Sequence, residues 1–370
     1  MRLYREFFLH HGRCLFVPLA ILLAVPCFAN AVAPVIASSQ GYINVMPLKA
    51  HTTAAFNSGG ASTLVAYVSS HPLWNERPVS ITGLSDNVGN TWKVLTGPTA
   101  WVGDSFTLLS AIYYVNAPVT AATHTLTVNL TNPAPLVVHV FVVSGSDISE
   151  PPIHSAITNL SVGRTSASVT ATSIAVPTNT LLLGWTKNES NATATALDGY
   201  TLDPRSTSFL WGESQTVHIA GSYTSHFQYD TAVGWQTAIV GVKMATGVVA
   251  SSQAVTTDRR GVGITLSAFS PKGFPLTYTL STRPTHGALS GVLPNLTYTP
   301  DTDYAGPDGF TFKVSDGTAV SNTATVVITV RGRTLVQQVC EITTKIGPSS
   351  IIWGLTIGLV LLLKKRLAFA

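Results

Sequence analysis

The first side chains to consider for chemistry in this sequence are tryptophans. Trp74 and Trp101 lie in loop-like segments rich in Gly, Pro and Asn, and Trp211 would join them if residues 209–211 form the tip of a loop. An exposed indole ring can stack on a sugar ring, whereas a buried one packs in the core of a sandwich. The sequence leaves both interpretations open for these residues: a platform that binds carbohydrate, or ordinary core packing.

A catalytic nucleophile with its partner residues is not visible in the sequence. Gly103-Asp104-Ser105 resembles the nucleophile block of GDS hydrolases, but it precedes an apolar β-type run, and Asp-x-x-His occurs nowhere in the chain. An isolated triplet is weak evidence for a triad, which is defined by geometry. The histidines and cysteines show neither the His-x-x-x-His nor the Cys-x-x-Cys spacing that zinc sites use. We therefore predict that the protein is not an enzyme.

Composition favours an exported chain over a cytosolic enzyme. Of the 370 residues only 10% are charged, against about a quarter in ordinary soluble domains. The net charge of +4 comes from basic residues near the two ends, so the body between them is close to neutral and offers no basic surface to nucleic acid. Cys14 and Cys27 lie in the predicted leader and only Cys340 lies beyond it, which excludes an internal disulfide framework.

Alternating apolar residues predict β-strands along most of the chain and no amphipathic helix. Residues 34–247 are predicted to form one large domain, in which Leu136–Val143 is apolar enough for a central strand buried on both faces. Short strands separated by Gly, Pro and Asn turns favour a two-sheet, jelly-roll-like β-sandwich. Residues Val248–Asp258 are predicted to be the linker to a second, smaller domain.

The second domain, residues 248–331, carries the most diagnostic patterns. Phe310, Phe312 and Val314 alternate with polar residues, as in a half-buried strand, and a hairpin turn follows. Four motifs resemble the cadherin-like, bacterial Ig-like repeats of large surface proteins: Phe274–Tyr278, Pro284–Gly287, Leu296–Pro300 and Asp308–Gly317. The resemblance implies a small Ig-like β-sandwich that serves as a spacer, in a family often linked to adhesion and calcium.

The first domain carries motifs with a resemblance of its own. They look like a jelly-roll domain seen in uncharacterised secreted bacterial proteins: Asp86–Trp92, Ala111–Tyr114 and Trp235–Ala238. This resemblance implies a fold and an extracellular location rather than an activity.

Calcium binding is implied only by the family resemblance of the second domain. Its oxygen ligands would come from four aspartates: Asp301, Asp303, Asp308 and Asp316. Calcium uses carboxylates, but Asp and Gly are also the residues that tight turns require. Where such repeats commonly carry an acidic turn, this chain has Ser270–Phe274, which contains no carboxylate. We keep both interpretations of the four aspartates, with turn formation favoured over a metal site.

Both ends of the chain are predicted to direct it to the cell surface. Residues 1–33 have the basic start, apolar run and small residues of a signal peptide. Residues 332–346 are predicted to be a stem, and 347–366 an apolar segment that ends in Lys364-Lys365-Arg366. The basic end should remain in the cytoplasm, which predicts a single transmembrane helix with the body outside. A processed sorting tail is the alternative for this segment.

These observations predict an all-β, non-enzymatic protein of the cell surface. Its function would be adhesion or contact with the extracellular matrix, through an extracellular protein partner and with the second domain as spacer. The alternative is a carbohydrate-binding surface protein that uses tryptophans of the first domain. Binding to a glycan that depends on Trp74, Trp101 or Trp211 would distinguish the two hypotheses.

Overall fold

The computed structural model contains β-strands as the only long regular elements of the residues that it describes. The predicted signal peptide lies outside these residues, as do the predicted transmembrane segment and all of the stem beyond residue 332. In the described part no helix is long and apolar enough to cross a membrane. The described residues are 35–70, 79–102, 107–159, 165–188, 192–207, 209–258 and 260–332.

Eighteen strands precede residue 245, in two groups of nine. The first group is β1 (Val35–Thr52), β2 (Thr63–Ser70), β3 (Ile81–Asp86), β4 (Lys93–Val102), β5 (Thr107–Asn116), β6 (Val119–Thr120), β7 (Leu126–Ser144), β8 (Ile153–His154) and β9 (Thr158–Asn159). The second group is β10 (Ser166–Thr170), β11 (Ile174–Val176), β12 (Thr180–Asn188), β13 (Ala194–Ala196), β14 (Thr201–Leu202), β15 (Leu210–Val217), β16 (Gly221–Tyr223), β17 (His226–Val233) and β18 (Trp235–Lys243).

The first sheet has the strand order β1-β7-β2-β5-β4 and curls around its own core. Strand β7 is 19 residues long; its first half pairs with β3, and its second half pairs with β2. Because side chains alternate along a strand, even-numbered residues of both halves, from Leu126 to Val142, point to the same side. They pack there with the even-numbered residues of β2, among them Leu64 and Ala66. The sheet therefore encloses an apolar core with its two halves.

The second sheet, with the order β14-β15-β12-β18-β8, packs on the outer face of the first. The two sheets share a core. The second sheet contributes the odd-numbered residues of β12, such as Trp185, and the even-numbered residues of β18, such as Val240. They pack against Tyr67 and Phe141 of the first sheet. The opposite face of β12 and β18 is buried as well, by Leu182 and other residues under short outer strands. Every residue of β2 and of β12 is buried as a result.

Two small sheets, β10-β17-β13 and β11-β16, cover the second sheet from outside. The described residues between 35 and 244 thus form four layers: the curled part of the first sheet, its main part, the second sheet, and the small outer sheets. The sequence-based expectation of two sheets underestimated this layering. The four layers explain why some strands are apolar along nearly their whole length, because a strand in an inner layer buries side chains on both faces.

The C-terminal module is a separate β-sandwich with eight strands. Its strands are β19 (Val249–Thr257), β20 (Val262–Thr265), β21 (Ser267–Phe269), β22 (Thr277–Leu280), β23 (Gly287–Val292), β24 (Asn295–Pro300), β25 (Gly306–Ser315) and β26 (Ala324–Val330). They form the sheets β21-β19-β26-β25-β22 and β20-β24-β23. Tyr298, Phe310 and Phe312 are fully buried between the sheets, as the alternation in the sequence predicts.

The segment Val248–Asp258 is not a linker, which corrects the expectation from sequence. It forms β19, whose second half pairs in parallel with β26 from Gln253↔Val326 to Thr257↔Val330. Its first half pairs with β21 in antiparallel fashion. A polar, Ser- and Thr-rich run is compatible with a strand when its hydrogen-bonding partners come from elsewhere in the chain, here about 70 residues later.

The C-terminal module contacts the first sheet region directly. Strand β6 pairs with Ser252 and Gln253 of β19, and Thr120 donates a hydrogen bond from Oγ1 to the Ser252 carbonyl at 2.7 Å. The ring of Phe269 lies against Gly145 so closely that a Cβ there would come within 2.8 Å of it. Strand pairing and a packed aromatic ring thus join the module to the four layers formed by the described residues between 35 and 244, hereafter the layered body.

Candidate functional site

The three tryptophans proposed to bind sugar occupy different parts of the chain. Trp74 lies outside the described residues. Trp101 belongs to β4, an edge strand of the first sheet. Trp211 lies in strand β15 and not at a loop tip; its Nε1 donates to the Ala192 carbonyl at 3.2 Å. The ring is half-buried against the core of the outer layer. A stacking role for these residues stays a prediction.

Among the four aspartates proposed for calcium, Asp308 is the most fully bonded. Its carboxylate accepts from the backbone N–H groups of Thr285 and His286 at 2.9 and 3.0 Å, and from the Tyr298 hydroxyl at 2.7 Å. Burial alone would raise the pKa of Asp308, but the bonds from Thr285, Tyr298, Gly309 and His286 outweigh it and lower the pKa. The carboxylate fixes the turn before β23 to the start of β25.

Asp316 lies in the turn of the hairpin between β25 and β26. Its Oδ1 accepts from the backbone N–H groups of Thr318 and Ala319, both at 2.9 Å, and Ser270 donates to its Oδ2 at 3.1 Å. The Thr318 backbone bond is the main cause that lowers the pKa of Asp316 to about 2. Gly317 has a φ of 83°, so this hairpin uses the glycine as the sequence predicts.

Asp301 and Asp303 lie in the turn between β24 and β25. The Asp301 carbonyl accepts from the Tyr304 backbone N–H at 3.2 Å, and Asp303 adopts a φ of 63°. In the part of the chain that the structure describes, no three His, Cys, Asp or Glu side chains converge as metal ligands. The hydrogen bonds described for Asp301, Asp308 and Asp316 stabilise turns. A calcium-binding role for the four aspartates stays a prediction.

Asp308→Ala is expected to lower the free energy of unfolding of the C-terminal module by about 2 kcal/mol. It leaves the backbone N–H groups of Thr285 and His286 without their carboxylate acceptor, and the Tyr298 hydroxyl keeps only the His286 carbonyl at 3.1 Å. Urea unfolding followed by tyrosine fluorescence would measure the change. Asp258→Ala is the matched control, because among the described residues the exposed carboxylate of Asp258 contacts the guanidinium of Arg260 at 3.8 Å and its backbone N–H at 3.3 Å. Equal midpoints for the two variants would contradict the structural role of Asp308.

The largest carboxylate network of the layered body is centred on Asp86. Its oxygens accept from the Asn90 backbone N–H at 2.9 Å and from the Trp92 indole N–H at 2.9 Å, and His124 Nε2 lies 3.1 Å away. Burial alone would raise the pKa of Asp86, but bonds from His124, Asn90 and Trp92 lower the pKa to about 2. The motif Asp86–Trp92 is therefore a structural loop that joins β3 and β4 to the segment around His124.

A titratable pair and a single carboxyl are also buried inside the body. His139 of β7 and Asp203 are buried between the first and second sheets, with His139 Nε2 3.6 Å from Asp203 Oδ2. Glu213 of β15 is fully buried, and burial raises its pKa to about 9. Glu213 is therefore neutral at physiological pH, and its Oε1 accepts from the His226 backbone N–H at 3.2 Å. The His139–Asp203 pair and the carboxyl of Glu213 are buried and inaccessible to a substrate.

A cavity of about 340 Å³ lies where the chain passes from the first sheet to the second. Pro151, Pro152 and Pro177 form part of its wall. Its charged residues include Asp147 and Lys243, whose carboxylate and ammonium groups are 3.4 Å apart. The cavity thus combines an apolar wall with this ion pair and the carboxylate of Glu150.

Outside the core, the outer layer brings three polar side chains together. Ser168, Asp198 and His226 come from β10, from the turn after β13 and from β17, and His226 contacts both of the others. Sequence analysis missed this group, because its residues stand 58 and 28 positions apart and no local motif connects them.

Comparison with known families identifies the C-terminal module. Residues 245–329 match the family of the bacterial Ig domain. The match covers the four motifs on which the resemblance was based, and its limits lie close to the predicted 248 and 331. The bacterial Ig module thus comprises β19 to β25 and nearly all of β26.

Comparison with curated proteins gives no match. Among solved structures, the endo-fucoidan hydrolase MfFcnA4 of glycoside hydrolase family 107 is 16% identical, over 69% of this chain and 39% of that one, with a TM-score of 0.21. The related MfFcnA9 is 21% identical over 37% of this chain and 28% of that one, with a TM-score of 0.19. The chain thus spans less than half of either protein, and scores this low carry no argument about function.

Proposed function

We propose that the protein works outside the cell as a surface protein that makes contact with an extracellular partner. The observation that carries this proposal is the bacterial Ig module at residues 245–329, which strand pairing and the packing of Phe269 join to a layered β-body. A module joined in this way positions the body at a defined distance and orientation. Low charge and an all-β fold are consistent with such a role.

The location is tested on intact cells that produce the full chain. Added protease should remove the layered body from intact cells, and an antibody against the Ig module should bind them without permeabilisation. A cytoplasmic protein carried in the same cells is the control, since it must survive the protease. Protection of the chain until the cells are lysed would reject a surface location.

Adhesion is tested by the attachment of cells that lack the protein. Cells with the gene deleted should attach less to matrix-coated surfaces, and the intact gene should restore attachment. A chain without residues 245–329 tests the spacer role, because the body then loses the module that carries it. Unchanged attachment in the deletion strain, on every matrix tested, would reject adhesion.

The second candidate function is binding to carbohydrate, which the partly exposed ring of Trp211 favours. Trp211→Ala is expected to weaken binding to a glycan by about tenfold, the equivalent of about 1.4 kcal/mol. A glycan array followed by calorimetry would measure the effect, together with Trp74→Ala and Trp101→Ala. Trp211→Phe is the matched control because it retains an aromatic ring. Binding that none of the three Ala substitutions changes would reject this candidate.

A further inference from the structure

The outer layer of the body holds a serine, a histidine and an aspartate in the order of a nucleophilic triad. His226 Nδ1 lies 2.8 Å from Asp198 Oδ2, and its Nε2 lies 3.3 Å from Ser168 Oγ. A carboxylate can only accept a hydrogen bond, so it fixes the imidazole tautomer with the proton on Nδ1. The lone pair on Nε2 then faces the Ser168 hydroxyl and can accept its proton.

His226 is held in place through its backbone as well as its ring. Its N–H donates to Oε1 of the buried Glu213 at 3.2 Å, and its carbonyl accepts from the Leu197 N–H at 3.0 Å. Since Glu213 is neutral at physiological pH, it anchors the strand without adding a second negative charge beneath the imidazole. Leu197 directly precedes Asp198, so the same bond fixes the turn that carries the carboxylate.

Asp198 and Ser168 both lie at irregular points of the backbone. Asp198 has a φ of 54°, a conformation that side chains rarely adopt and that is often found at functional sites. Its carbonyl accepts from Gln215 Nε2 at 3.1 Å. Strand β10 shifts its register between Ser166 and Ser168, and bulges of this kind redirect side chains beside active sites.

A second Ser-His-Asp group in the same protein differs from this one in the exposure of its serine. Ser58, His124 and Asp86 also contact one another, with His124 Nδ1 2.8 Å from Ser58 Oγ. There the serine is fully buried, and its hydroxyl exchanges hydrogen bonds with the backbone of Ala121. Ser168, by contrast, is exposed, and the side chains of His226 and Asp198 are 28% and 65% exposed. Only the outer group is open to a substrate.

We propose that Ser168, His226 and Asp198 form a nucleophilic triad that hydrolyses esters of short acyl groups. Ser168 Oγ attacks the acyl carbon while its proton passes to His226 Nε2. The ester C–O bond then breaks, and His226 returns the proton to the departing alcohol. Water then attacks the acyl carbon while His226 takes its proton. The bond to Ser168 Oγ breaks, His226 returns the proton to Oγ, and the carboxylic acid leaves. Asp198 orients the imidazole and stabilises its cation.

Gln228 completes the arrangement as the donor to the developing oxyanion. It stands opposite Ser168 in the β10–β17 pairing, and its side chain is exposed on the same face of the sheet. One of its two amide hydrogens goes to the Tyr229 carbonyl at 3.1 Å, and the amide carries a second donor. A side-chain amide in this role can contribute about 10²–10³ in rate.

The surroundings of Ser168 restrict the acyl group that the triad accepts. Its strand neighbours Thr170 and Gln228 are polar and exposed, so they offer no apolar wall to a long fatty chain. An acetyl-sized group on an alcohol that projects from a larger molecule fits this open face. The residues come from strands far apart in sequence, which is why the sequence predicted no enzyme. This activity does not depend on the proposed surface function.

The test uses the purified full-length chain with a fluorophosphonate probe and with p-nitrophenyl acetate. We expect mass spectrometry to find the probe on the peptide that contains Ser168, and we expect Ser168→Ala and His226→Ala to lose at least about 100-fold in ester hydrolysis. Asp198→Asn should lower the rate with little change in KM, because it disturbs the tautomer and not the binding of substrate. Circular dichroism melts confirm that each variant is folded.

Ser222→Ala is the matched control, because Ser222 is an exposed serine of β16, in the other small outer sheet, and lies outside the triad. It should retain both labelling and hydrolysis. Wild-type protein with no adduct on Ser168, or equal hydrolysis by the wild type and Ser168→Ala, would overturn the proposal. Labelling on Ser58 in place of Ser168 would also overturn it.

Discussion

Trp185→Ala is expected to lower the free energy of unfolding by about 3–5 kcal/mol, the range for removing a large aromatic side chain from a core. Trp185 is fully buried. Its ring centroid lies 6.0 Å from that of Tyr67 and 5.2 Å from that of Phe141, so it packs where the first and second sheets meet. The substitution would leave a void between two rigid sheets, which cannot close together around it.

Chemical denaturation of the full chain, followed by circular dichroism, would measure this change. Trp185→Phe is the matched control, with a smaller expected loss, since it keeps a ring and removes an indole N–H that has no hydrogen-bond partner among the described residues. A loss below about 1 kcal/mol for Trp185→Ala would mean that the sheets do not share this core, and would contradict the four-layer arrangement.

Asp86→Ala is expected to cost about 3 kcal/mol of stability or more, because the imidazole of His124 and the indole N–H of Trp92 would lose their acceptor. Asp86→Asn retains one acceptor oxygen but turns an amide N–H₂ toward these donors, so it should cost less than Ala and more than a surface substitution. Thermal unfolding of the three proteins at pH 7 would rank them. An Ala variant as stable as the wild type would contradict the role assigned to this network.

The same carboxylate predicts how stability depends on pH. The pKa of Asp86 is about 2 in the folded protein and about 3.9 in an unfolded chain. Between these values the unfolded state binds more protons, so the contribution is complete above about pH 4 and is lost as the pH falls toward 2. At about 1.4 kcal/mol per pKa unit, its total is about 2–3 kcal/mol. In Asp86→Ala the decline of stability over this pH window should be smaller by that amount.

The sequence predicted strands well where side chains alternate and poorly where the chain bends. The alternating run Thr123–Leu130 and the apolar run Leu136–Val143 each have the pattern of a separate strand. The structure joins them across Pro133 in β7, because β1 shifts its register opposite this proline, between Asn44 and Ala50. A proline lacks an N–H and is tolerated where the ladder is already interrupted. That interruption depends on a partner some 85 residues earlier, which local patterns cannot reveal.

The stacking order of the sheets and the grouping of polar side chains also depend on contacts between residues far apart in the sequence. An apolar run such as Leu181–Trp185 indicates burial on two faces, but it does not say which sheets lie above and below. The group at Ser168, Asp198 and His226 likewise exists only through the pairing of β10 with β17 and the turn after β13. The Ig module was recognised from sequence because its diagnostic residues are close together along the chain, in turns and short strands.

The parallel pairing of β19 with β26 has a mechanical consequence. The chain enters the Ig module at the start of β19 and leaves it at the end of β26, so tension between these points draws the two strands in opposite directions along their length. The ladder from Gln253↔Val326 to Thr257↔Val330 then carries the load on all its hydrogen bonds at once and cannot unzip one bond at a time. A module built in this way resists stretching, which suits a tether that holds a body against drag.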